Sequence, residues 1–127
     1  MADPIAVLVV ARPGPLRDSL MALLRSIPGI AAVQQADDAT AGLRFAETAR
    51  PALVLIDGGL PGGEAWTVLR QVQVRWPCTQ SVVLTDTIQL RRRAEAAGAN
   101  RALLKGFPAA KLSSMLEQLL QQSVSEV

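Results

Sequence analysis

The chain reads as one α/β domain, a doubly wound sheet of five parallel strands in the order 2-1-3-4-5 with helices on both faces. Three observations predict it. Stretches suited to buried strands alternate five times with amphipathic helical stretches over 127 residues, which is the pattern of a parallel sheet with right-handed crossovers. The strongest strand candidates, residues 5–11 and 52–56, are unbroken aliphatic and β-branched runs, as expected of strands covered on both faces. The composition, 50% hydrophobic and 19% charged, supplies enough apolar side chain for one core.

The elements follow in order. After the first strand, Pro13, Gly14 and Pro15 interrupt it, and Leu16, Leu20, Leu23, Leu24 and Ile27 fall on one face of a helix stopped by Pro28 and Gly29. A weaker strand at 30–35 leads to a helix capped by Asp37 or Asp38, with Ala39, Leu43 and Ala46 inward, ending before Pro51. The strand at 52–56 runs directly into Asp57 and the glycine-rich loop 58–63. A helix over 64–76 places Ala65, Leu69, Val72 and Trp76 on one side, and Pro77 breaks it. Residues 81–85 form the fourth strand. The next helix turns Leu90, Ala94 and Ala97 inward and uses Gly98 as its C-cap. Residues 101–104 are the fifth strand, and Leu112, Met115, Leu116, Leu119 and Leu120 line the last helix. The domain is expected to span 1–122, with 123–127 a tail or the start of a linker.

Composition excludes several functions. Histidine is absent and Cys78 is the sole cysteine, which removes Ser-His and Cys-His catalysis, paired-cysteine redox chemistry, internal disulfides and the usual zinc sites. The longest apolar run, 5–11, is far below the ~20 residues that cross a bilayer, and the opening Met-Ala-Asp-Pro lacks the basic region of a secretory signal. A cytoplasmic protein without membrane contact is expected. A net charge of +2 gives no cause to expect direct nucleic-acid contact. Of thirteen cations only Lys105 and Lys111 are lysine, so a lysine at a strand end is informative.

In the order 2-1-3-4-5, function collects at the carboxyl ends of the strands beside the switch point. There the sequence places Ala11, Arg12, Asp57, Thr85 and Lys105. A carboxylate ending an apolar strand costs desolvation energy unless a neighbour compensates it, and the topology brings the Asp57 carboxylate, the Thr85 hydroxyl and the Lys105 ammonium to one crevice.

At these residues the chain resembles the receiver domain of two-component response regulators over nearly its full length. The resemblance rests on Ala6-Val-Leu-Val-Val10, Leu53-Val-Leu-Ile-Asp57-Gly-Gly-Leu-Pro61-Gly-Gly, Ser81-Val-Val-Leu-Thr85, Ala97-Gly-Ala and Leu104-Lys105-Gly-Phe107. It implies a flavodoxin-like, receiver-like three-layer sandwich. By it Asp57 matches the phosphoacceptor, Thr85 the hydroxyl that meets the phosphoryl group, and Lys105 the cation that pairs with both. Gly59 matches the residue whose carbonyl is a metal ligand in the family.

The chain departs from the family in four places. Ala11-Arg12 stands where the family has an acidic pair, Asp86 follows Thr85 in place of a small residue, Ala102 replaces the switch aromatic, and Gly106 replaces a proline. The family's Mg²⁺ therefore loses its acidic ligands, so no metal site and no cofactor are expected. Arg12 is the candidate to take the metal's place and pair with Asp57. With it, Asp57 and Asp86 would balance Arg12 and Lys105 without a metal.

Phosphotransfer relies on the metal to neutralise developing charge, so the expected function is that of an atypical, pseudo-receiver signalling module in a bacterial phosphorelay, without enzymatic turnover and with impaired Mg-dependent phosphorylation at Asp57. Its partners would be a histidine kinase or another signalling protein, or a second copy through the last two helices. The alternatives are an ordinary phosphorylation-activated receiver, as at the N-terminus of a transcription regulator, and more remotely a small phosphohydrolase with Asp57 as nucleophile. Gly59 stands where that enzyme would need a second acid. Arg91-Arg-Arg93 reads as a solvated helix face with an Arg91–Glu95 pair, or as a partner site.

Overall fold

The computed structural model describes residues 5–125; the opening tetrapeptide and the last two residues lie outside them. Five strands, β1 (Ile5–Val10), β2 (Ile30–Ala36), β3 (Leu53–Asp57), β4 (Gln80–Thr85) and β5 (Arg101–Leu104), alternate with α1 (Pro15–Arg25), α2 (Ala39–Ala49), α3 (Glu64–Arg75), α4 (Ile88–Ala96) and α5 (Ala109–Ser125). The sheet is wholly parallel in the order β2-β1-β3-β4-β5, as the alternating pattern predicts.

The pleat divides the core into two halves. Val7, Val9, Leu53, Leu55, Val82 and Leu84 point to one face, where they meet Leu20, Met21 and Leu24 of α1 and Leu112, Leu116 and Leu119 of α5. Leu8, Val10, Val54, Ile56 and Val83 point to the other, against α2, α3 and α4. Each fully buried aliphatic side chain contributes about 1.5–3 kcal/mol, and the central strands β1 and β3 are buried on both faces. This is why they lack the polar alternation of a one-sided sheet. Trp76, the C-cap of α3, is buried in the second half, as its spacing from Leu69 and Val72 predicts.

Local chemistry sets the element ends. Of the two candidate caps for α2, Asp38 acts: its carboxylate accepts from Ala41 N at 2.8 Å. Asp37 is left to another partner. Gly42 lets α2 sit directly on β1, since a β-carbon there would lie 2.9 Å from Val10 Cγ2. One expectation needs correction. Ala97 is not inward; it is the exposed C-cap of α4, whose one buried residue is Ala94. The last helix runs through Ser125, since residues 121–125 contain neither glycine nor proline to stop it.

Candidate functional site

The crevice is assembled from three adjacent strand ends. Asp57 is paired in register with Leu84 and Thr85 with Leu104, so the chain leaves the sheet at Asp57, Asp86 and Lys105 on one edge. Two backbone bonds fix the exits: Gly58 N donates to Leu84 O at 2.7 Å and Lys105 N to Thr85 O at 2.8 Å. A β-carbon on Gly58 would lie 2.8 Å from that same Leu84 carbonyl. Only glycine allows β3 to turn out so close to β4.

Lys105 Nζ lies 2.8 Å from Asp57 Oδ1, 3.1 Å from Asp86 Oδ1 and 3.3 Å from Asp86 Oδ2. The ammonium is thus shared by two carboxylates, one well sheltered and one at the rim, with side-chain exposures of 16% for Asp57 and 55% for Asp86. Asp57 Oδ1 also accepts from Gly59 N at 2.9 Å. A β-carbon on Gly59 would come within 3.1–3.3 Å of Asp86 Oδ2, Lys105 Nζ and Asp57 Oδ1, so the loop lies flat against the charged cluster. Partial burial pulls the Lys105 pKa down, but hydrogen bonds to Asp57 and Asp86 and their negative charges outweigh it, and the pKa is raised above 10.5.

Thr85 is fully buried, and its hydroxyl donates to Leu103 O at 3.0 Å. It stands beside the crevice with its donor committed to β5. Arg12 does not make the expected contact with Asp57. It is exposed, and the polar partners of Asp57 are Lys105 and Gly59. The physical reason is that Lys105 already compensates the sheltered carboxylate, while an arginine that keeps its hydration gains little from a surface pair. The proposed balance of two charges against two is therefore replaced by two carboxylates on one ammonium.

Sequence reasoning missed Arg17. Its guanidinium is buried, donates to Ala11 O at 3.2 Å and pairs closely with Asp37, tying the end of β1 to the start of α2. The signal was present: Arg17 precedes Leu20, Met21 and Leu24 by three, four and seven residues, which places it on the buried face of α1. Asp86 was counted as a charge but not as the second partner of Lys105.

The profile of the response regulator receiver domain matches residues 7–117 of the chain. The chain belongs to that family. Solved receiver domains share its fold over nearly the whole length. A CheY-like receiver domain protein from Methanospirillum hungatei JF-1 superimposes with a TM-score of 0.86 at 22% identity, covering 98% of this chain and 100% of the other. The receiver domain of an HD domain-containing protein from Pseudomonas fluorescens Pf-5 gives 0.85 at 26% identity, covering 97% and 91%. That of a DNA-binding response regulator from Colwellia psychrerythraea 34H gives 0.82 at 18% identity, covering 93% and 99%. Comparison with curated proteins gives no match. Among the described residues of this receiver domain, no helix is long and apolar enough to cross a membrane.

Proposed function

We propose that this receiver domain is an atypical signalling module that works through protein contacts and in which Mg-dependent phosphorylation at Asp57 is impaired. The observation that carries the reading is the shared ammonium: Lys105 Nζ is held by Asp57 at 2.8 Å and by Asp86 at 3.1 Å. A phosphoryl group arriving at Asp57 must compete with the Asp86 carboxylate for the one cation of the cluster, and it brings further negative charge beside that carboxylate. The donor set does not fit Mg²⁺, which requires oxygen ligands in near-octahedral geometry. The end of β1 offers the buried methyl of Ala11 and the exposed guanidinium of Arg12 where the family has acids, and the remaining carboxylates face an ammonium.

Within this reading Asp57 is the residual phosphoacceptor, Thr85 and Gly59 its supports and Lys105 its counter-ion. Arg12 is no longer a stand-in for the metal but an exposed side chain at the rim. The domain works without a cofactor and without turnover of its own, in contact with a histidine kinase or another signalling protein and without touching nucleic acid itself. A second reading, an ordinary phosphorylation-activated receiver, is favoured by the presence together of Asp57, Thr85 and Lys105 and by the resemblance to domains of larger regulators.

Intact mass after incubation with a small acyl phosphate, with and without Mg²⁺, separates the two. Wild type is expected to gain no Mg-dependent phosphoryl adduct, whereas Arg12→Asp combined with Asp86→Ala is expected to gain one that Asp57→Asn abolishes. Stoichiometric, Mg-dependent labelling of wild type that disappears in Asp57→Asn would establish the ordinary receiver instead.

A further inference from the structure

Away from the crevice, α3 and α4 enclose a cleft of about 260 Å³ lined by Trp66, Leu69, Arg70, Gln73, Arg93 and Ala97. The guanidinium of Arg93 lies over the Trp66 ring at 4.3 Å from its centroid. Such stacking covers one face of the guanidinium and leaves its N–H edge free for a planar acceptor. The neighbouring arginines differ in their partners: Arg75 pairs with Glu47 and Arg91 with Glu95, whereas neither Arg70 nor Arg93 has a carboxylate partner among the described residues. Gln73, on the same wall, has its Nε2 closed off from solvent without an acceptor among the described residues. Val74, four residues after Arg70 on α3 and so on its side of the helix, is an apolar side chain 73% exposed to water.

We propose that this cleft is a docking site for an acidic, amphipathic segment of a partner protein, whose carboxylates engage Arg70 and Arg93 while an apolar side chain covers Val74. The chemistry favours carboxylates over a phosphate. Phosphates are typically held by free backbone N–H groups at helix N-termini, and this cleft is walled by the middle of α3 and the last turn of α4, where the backbone N–H groups are taken up within the helices. The volume is just below the ~300 Å³ at which small-molecule pockets begin, which suits side chains delivered by a partner. The contact involves no atom of the Asp57 cluster, so it stands or falls independently of how that site is phosphorylated.

The test is fluorescence anisotropy of a labelled helical peptide bearing Glu at two positions four apart with Leu between and after them, compared with its Glu→Gln twin. Saturable binding to wild type is expected, unchanged by Asp57→Asn and weakened about tenfold by Arg70→Gln with Arg93→Gln, since two exposed pairs are worth ~0.5–1 kcal/mol each. Arg70→Lys with Arg93→Lys should restore part of it, and melting curves of the variants should lie close to wild type, since both side chains are exposed and only the Arg93–Trp66 stack is lost. No saturable binding, equal binding of the Gln twin, or equal binding by the double Gln variant would overturn the proposal. Displacement of the peptide by inorganic phosphate as readily as by unlabelled peptide would also overturn it, by making the cleft a small-anion site.

Discussion

The two halves of the sheet's carboxyl edge solve the same problem in opposite ways. On the β3–β4–β5 side two carboxylates share one ammonium, all three groups lie at strand exits, and the cluster opens to solvent through Asp86. On the β1–β2 side the cation is a buried guanidinium, and it is spent on structure: Arg17 holds the Ala11 carbonyl and Asp37. The first half leaves its charges at an edge open to solvent. The second commits its cation to a tie between the end of β1 and the start of α2. Arginine suits that task because its planar fork can serve a carbonyl and a carboxylate together, and it stays charged when buried. Lysine suits the other because a compact ammonium can turn between two acceptors.

The sharpest way to break this contrast is to remove the tie. Arg17→Met should destabilise the domain by about 2 kcal/mol, the range for hydrogen bonds to a charged group, while Arg12→Met should stay within about 0.5 kcal/mol, as for other surface changes. Urea denaturation at neutral pH measures both. An equal loss in the two variants would mean that Arg12 supports the end of β1 as much as Arg17 does.

A smaller effect is expected at the other half. Lys105→Met should cost about 1 kcal/mol at pH 8, near the top of the range for partly exposed pairs. The sign of its pH dependence follows from the raised pKa. The stabilisation is present in full below the unfolded value of 10.5 and is lost as pH rises through the higher folded value. The stability difference between wild type and Lys105→Met should therefore be flat from pH 7 to 10 and shrink above that. A difference that already declines between pH 8 and 9 would show that the ammonium is not held by the two carboxylates. Smallest of all, Asp86→Ala should change stability by less than about 0.5 kcal/mol, because Lys105 retains Asp57. A loss as large as that of Lys105→Met would make Asp86, and not Asp57, the principal partner.

Much of this molecule is determined by local sequence. Unbroken aliphatic runs at β1 and β3, heptad-like spacing on α1 and α5, and the loop after Asp57 specify a parallel α/β sheet, because burial on both faces and helical periodicity are written in consecutive residues. The convergence of Asp57 and Lys105 was also legible, since strand order alone brings those strand ends together. The choice of partners was not. Lys105 could have taken Asp57 alone, Arg12 could have turned inward, and Asp37 could have capped α2 as well as Asp38. Each of these outcomes depends on angstrom-scale distances across the sheet edge and on whether a charge is sheltered or hydrated. Tertiary structure settled them by burying Arg17 beneath Asp37, leaving Arg12 exposed, and setting Asp86 where it reaches the same ammonium as Asp57. Charge pairing falls off steeply with distance and solvation, and neither quantity is encoded in the spacing of residues along a chain.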